Sequence, residues 1–239
     1  DRVDADETVD RAHRAAMVLH PTSAKLHNNL GYNLLLQGKR EDALDELRKA
    51  SQAASAAGYP EWLAHLRQQA FDAYAAGPLP DRVAHLWRYT DPALFIPSVH
   101  SVPGPEAAPD SVPAAGAWPA EIRALMDRGE ISGAAFICGG VLRESWLEPS
   151  LKAAGVILED LQKAAASRPS LVREHIGSLI PAAAGKFEAL NSALWRGGVF
   201  LHIPRSVTIP KPIHLWSSAA GGLQAKRLLV QAGEASEVT

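Results

Sequence analysis

The stretch KFEALNSALWRGGVFLHIPRSVTIPKPI, Lys186 to Ile213, decides how the rest of the chain is read. Phe187, Leu190 and Leu194 recur at helical spacing up to Trp195, and Gly197-Gly198 then interrupts the pattern. From Val199 the period changes to two, with Val199, Leu201 and Ile203 on one side and Phe200 and His202 on the other. That alternation predicts a strand with one buried face. Two shorter apolar runs follow, Val207 to Ile209 and Ile213 to Trp216, punctuated by Pro204, Pro210 and Pro212. Brief strands with proline corners suit a coiled β-solenoid, whose corners must turn sharply. A two-layer sandwich would also accept them, but it usually shows longer runs and Gly/Asn hairpin turns.

Immediately upstream, residues 120–196 read as a small α/β region. Ala120 to Arg128 is helical in pattern. Ala134 to Cys138 and Val141 to Trp146, split by Gly139-Gly140, read as a hairpin. Gly155 to Leu158 reads as a further strand, and Leu161 to Ala166 and Leu171 to Ile180 as helices, the second opened by Pro169-Ser170. Residues 97–119 hold six prolines and two glycines among many alanines, a composition that builds no core and reads as a linker or loop. Residues 58–96 are helical again: Trp62, Leu63, Leu66, Ala70, Phe71 and Tyr74 form an apolar stripe that ends at Gly77.

The first segment, residues 1–57, is repeat-like. In LHNNLGYNLLLQGKREDALDELRKA, the residues Leu30-Gly31, Gly38, Ala43, Leu47 and Ala50 fall at tetratricopeptide (TPR) offsets. Small residues at Gly31, Ala43 and Ala50 let two antiparallel helices approach, and Gly38 supports the turn between them. His27 stands where that pattern favours Trp, and Ser55 where it favours Pro. Asn29 and Asn33, one turn apart, would face a repeat groove and could grip an extended peptide backbone. Because single repeats bury their faces only against neighbours, more repeats are expected before Asp1. The chain opens without methionine inside a helical pattern and stops after a strand-like run from Arg227 to Gln231, as an internal piece of a longer protein would.

Composition narrows the function classes. Of 239 residues, 47% are hydrophobic and 21% charged, as in ordinary globular proteins. A net charge of -2 gives no bulk field to attract nucleic acid or an anionic membrane. No apolar run is long enough to span a bilayer and no signal-peptide pattern opens the chain. Cys138 is the only cysteine, so no intrachain disulfide or thiolate-rich metal or cluster site can form from this chain alone. A reducing, cytosolic setting is expected.

Three phrases, in order across residues 59–239, together resemble the SufB/SufD family of iron–sulfur cluster assembly scaffolds, and more closely its SufD branch. The first is Pro60-Glu61-Trp62-Leu63 with Leu79-Pro80 and Trp87-Arg88-Tyr89-Thr90-Asp91. The second is Ala154-Gly155-Val156-Ile157 followed by Leu171-Val172-Arg173-Glu174. The third and most specific runs from Lys186, Phe187, Leu190 and Asn191 through Leu194-Trp195, Gly197, Gly198, Val199-Phe200 and Ile203-Pro204 to Lys211-Pro212-Ile213. Leu86 stands where the family usually has an acidic residue. The resemblance implies a mixed fold: helices and a small α/β region, then, over residues 197–239, the first coils of a right-handed parallel β-helix. It implies association with a SufC-like ATPase and a SufB-like subunit, and an iron–sulfur cluster built on the assembled complex. The residues credited with cluster chemistry lie past Thr239, so none is carried over. The TPR-like segment is not a usual part of the family and reads as an added module with a possible peptide partner.

The residues offer no catalytic constellation. The nine histidines show no metal-ligand spacing; His13 and His20 could share a helix face but lack a carboxylate or cysteine. His202 and His214 would point outward from solenoid strands. Cys138 reads as a buried thiol. The glycine pairs at 139–140, 197–198 and 221–222 lack the G-x-G-x-x-G or Walker pattern, and no serine sits in a G-x-S-x-G elbow. Trp87, Arg88 and Tyr89 read as an anchor for the N-terminal helices, or as a stacking surface. No acidic pair lies on the visible strands, which leaves a carbohydrate-active β-helix without support. The expectation is an association protein without catalytic, cofactor-binding or metal residues of its own.

Overall fold

The computed structural model describes residues 60–81, 83, 87–95, 118–138, 141–195, 197–218 and 225–238, and upstream of these residues 27, 30, 31, 34, 37, 39, 41, 42, 45, 46 and 49. The fold is mixed α/β with small sheets. In chain order the helices are α1 (Glu61–Ala76), α2 (Ala120–Asp127), α3 (Pro149–Ala153), α4 (Leu161–Ser167), α5 (Pro169–Val172) and α6 (Lys186–Leu194). The strands are β1 (Gly133–Cys138), β2 (Val141–Leu147), β3 (Ile157–Asp160), β4 (Gly198–Ile203), β5 (Thr208–Ile209), β6 (Ile213–Ser218), β7 (Arg227–Ala232) and β8 (Glu237–Val238). They divide between two compact units.

The first unit contains α1, α6 and two 3₁₀ turns, Pro92–Phe95 and Ala182–Ala184. Helix α1 starts after Pro60 and buries Leu63, Ala64, Ala70, Phe71 and Tyr74, while Trp62 and Leu66 are half-buried. The face of α6 that carries Ala189, Leu190, Ala193 and Leu194 packs against α1. Upstream, His27, Leu30, Gly31 and Leu34 are helical and buried, Gln37 turns, and positions 41, 42, 45, 46 and 49 are helical again. Gly38, Ala43, Leu47 and Ala50 lie outside the described residues, as does most of the proline-rich stretch.

The second unit is built on three sheets of order β2-β1-β6, β3-β4-β7 and β5-β8. Its interior is lined by Ala135, Ile137, Leu147, Leu151, Val156, Leu158, Val199, Leu201, Ile203 and Ile209. A second apolar cluster joins Ile122 of α2 to Ile131 and Ala134, so β1 is buried on both faces. This explains why Gly133 to Cys138 is apolar without alternation. The ladders β1–β2 and β3–β4 are antiparallel; β1–β6, β4–β7 and β5–β8 are parallel. Gly198 pairs with Arg227 and Thr208 with Glu237, so in both ladders the partner lies 29 positions further along the chain.

Three readings of the sequence need correction. Gly155 does not begin a strand. It ends α3 in a left-handed conformation (φ +87°), with Gly155 N–H donating to Lys152 O and Val156 N–H to Leu151 O, a Schellman closure. The strand therefore starts at Ile157 and ends at Asp160, whose carboxylate accepts from the N–H groups of Gln162 and Lys163 and caps α4. The helix expected over Leu171 to Ile180 stops at Val172. Turns follow, Gly177 takes φ +80°, Pro181 lies beyond, and Leu179 and Ile180 are exposed. Lastly, β4 buries both faces: Phe200 is as inaccessible as Val199, because β4 lies between β3 and β7 and α4 packs against it.

Candidate functional site

The residues of the 186–198 phrase separate into two tasks. Lys186, at the first position of α6, reaches the far end of α1 and donates from Nζ to the carbonyl oxygens of Tyr74 (2.9 Å) and Gly77 (2.7 Å). These carbonyls belong to the terminus of α1, where the helix has no further N–H to offer and carries the negative end of its dipole. The ammonium also stands 4.6 Å from the centre of the Tyr74 ring. Burial lowers Lys186 from its ordinary value. Next to it, Phe187 meets Trp87 at 5.1 Å with the rings tilted by 32°, and Phe95 meets both edge-on. Of the Trp87-Arg88-Tyr89-Thr90 phrase only Trp87 is packed in this way; Arg88, Tyr89 and Thr90 are exposed. Leu190 is buried in the α1–α6 contact, and Asn191 is half-buried.

Gly197 and Gly198 open β4. Gly198 has φ +150°, and a β-carbon there would fall on the backbone of Arg227 in the neighbouring strand. The corner after β4 is then repeated after β7. Ser206 (φ +61°) and Ala235 (φ +57°) both adopt the left-handed conformation. Gly233 N–H donates to Ile203 O, Ser206 N–H to Glu234 O, and Glu237 N–H to Val207 O. Gly233 lies so close over Pro204 and Arg205 that a β-carbon would meet the Arg205 amide nitrogen at 2.5 Å. Arg205 and Glu234 form an exposed ion pair at 3.3 Å across the same corner.

Lys211-Pro212 secures the start of β1. Pro212 O accepts from Ser132 N–H, Ser132 O accepts from Glu148 N–H, and Glu148 accepts weakly from Ser132 Oγ (3.3 Å) and Lys211 Nζ (3.5 Å). On the outer side of β4 and β7, Gln231 touches two imidazoles, His202 and His175, each at 2.9 Å. His202 is therefore half-buried and hydrogen-bonded and does not project freely outward. Sequence reading missed Ser132, Glu148, His175 and Gln231. Laying the chain on itself with a shift of 29 places Gln231 under His202, a weak signal that could have found it.

Among the described residues, no three or more His, Cys, Asp or Glu side chains gather as a metal site. Cys138 is buried in β1. Asn29, Asn33, His13, His20, Gly139-Gly140 and Gly221-Gly222 lie outside the described residues. No described helix is long and apolar enough to cross a membrane. What the second unit presents is an exposed apolar row. Leu228, Val230 and Val238 pair with the core residues Val199, Leu201 and Ile209, and so continue the interior rows, yet they are about half exposed (54%, 49% and 50%).

Comparison with known proteins adds a family. Residues 131–215, from the approach to β1 into β6, match the family described as SufBD protein N-terminal region. An iron–sulfur cluster assembly SufBD family protein of Pyrococcus horikoshii is 28% identical over 212 residues, covering 83% of this chain and 44% of that protein. One from Staphylococcus epidermidis is 29% identical over 216 residues, covering 84% and 43%. One from Staphylococcus aureus is 34% identical over 95 residues, covering 38% and 20%. The chain thus spans less than half the length of the first two relatives. The share of the chain that they match exceeds residues 58–239, so the similarity reaches into the upstream helical segment.

Proposed function

We propose, from the premise that this chain belongs to the SufB/SufD family, that it works as a SufD-like subunit of an iron–sulfur cluster assembly scaffold. It acts through protein association, with no catalysis of its own. The observation that carries this reading is the constant 29-residue offset of the β4–β7 and β5–β8 ladders, with its repeated corner. In this reading β4, β5 and β6 are one coil of a right-handed parallel β-helix and β7 and β8 the start of the next, which the repeated offset supports. The exposed row Leu228, Val230, Val238 is the kind of surface that a following coil or a partner strand closes.

The partners in this reading are a SufC-like ATPase and a SufB-like subunit in the cytoplasm. The iron–sulfur cluster is cargo of the assembled complex. Co-expression of the natural protein with both partners, followed by affinity capture under reducing conditions, tests the proposal. Recovery of a complex is expected; failure to recover either partner would remove it.

A second reading makes residues 1–57 a TPR-type peptide adaptor, with the β region as its support. Supporting it is the contact between His27 Nδ1 and Glu46 Oε2 at 2.8 Å, which ties together the two helical stretches on either side of Gln37. His27 then holds the place of the pattern's Trp through a buried polar pair instead of apolar bulk. This reading predicts a partner peptide whose binding is lost in Asn29→Ala, with capture of the SufC-like protein unaffected.

A further inference from the structure

We draw no further inference here: the strongest candidate, the exposed apolar turn of the first unit that carries Tyr89, Leu94 and Phe95, carries nothing because nothing in the structure shows what covers it.

Discussion

Gly198 and Arg227 lie backbone against backbone, so closely that a β-carbon on Gly198 would coincide with the carbonyl group of Arg227. This contact opens the parallel β4–β7 ladder, and its geometry explains the glycine pair that separates the helical phrase from the alternating one. Gly198→Ala must both strain a backbone at φ +150° and push one strand off the next. A loss of at least about 3 kcal/mol is expected in urea unfolding. Gly129→Ala is the control, since Gly129 also has positive φ (+62°) but nothing lies near its missing side chain. It should cost only about 1–2 kcal/mol. Equal losses in the two variants would mean that the close approach carries no energy.

Lys186 supports a different joint. Removing its ammonium in Lys186→Met leaves the Tyr74 and Gly77 carbonyls without their donor while keeping most of the aliphatic stem. Thermal and denaturant unfolding should register a loss of about 1.5–3 kcal/mol, the range for hydrogen bonds to a charged group. Lys163→Met, on the exposed side of α4, should change stability by less than about 0.5 kcal/mol. A null result for Lys186→Met would reduce its role to packing.

How much of this could be read from the chain follows from the range of the forces involved. The switch at Gly197-Gly198 was legible because periodicity is local: the helix α6 and the strands β4 to β7 fall where the apolar spacing changes. The β1–β2 pair was legible for the same reason. Gly155 misled because a glycine in a helix-closing turn looks, in sequence, like one that opens a regular element. Phe200 misled because alternation shows that two faces exist, but not that α4 covers the second. Ser132, Glu148 and Gln231 were invisible because their partners lie 16 to 63 positions away in the chain. Lys186 was noticed only as part of a family phrase; its target, the end of α1, lies more than a hundred residues upstream.

The repeated corner separates backbone stacking from surface charge. Gly233→Ala would bring a β-carbon to 2.5 Å from the Arg205 amide nitrogen, inside any tolerated contact. It should cost about 1–3 kcal/mol. Glu234→Ala removes an ion pair whose two side chains are 73% and 76% exposed, and solvent screens it. That change should be within about 0.5 kcal/mol of zero and insensitive to salt. If Glu234→Ala proved the more damaging of the two, the corners would be held by charge, not by stacked backbone.

Glu46 gives the N-terminal helical segment a defined dependence on pH. Burial acts to raise its carboxyl, but hydrogen bonds from Lys49 and His27 outweigh burial and hold it below the ordinary 4.5. The folded chain therefore releases this proton more readily than the unfolded chain does. The contribution to stability is fully present above about pH 5 and is lost as the pH falls through the folded value, because the unfolded state takes up the proton first. Circular dichroism at 222 nm between pH 7 and pH 3 should show helix lost progressively over that window. Glu46→Gln keeps the shape but not the charge. It should lower stability at pH 7 by about 1–2 kcal/mol and make the acid limb shallower by the share that Glu46 contributes. An acid limb unchanged in Glu46→Gln would place the acid sensitivity elsewhere and leave the His27–Glu46 contact as a neutral packing feature.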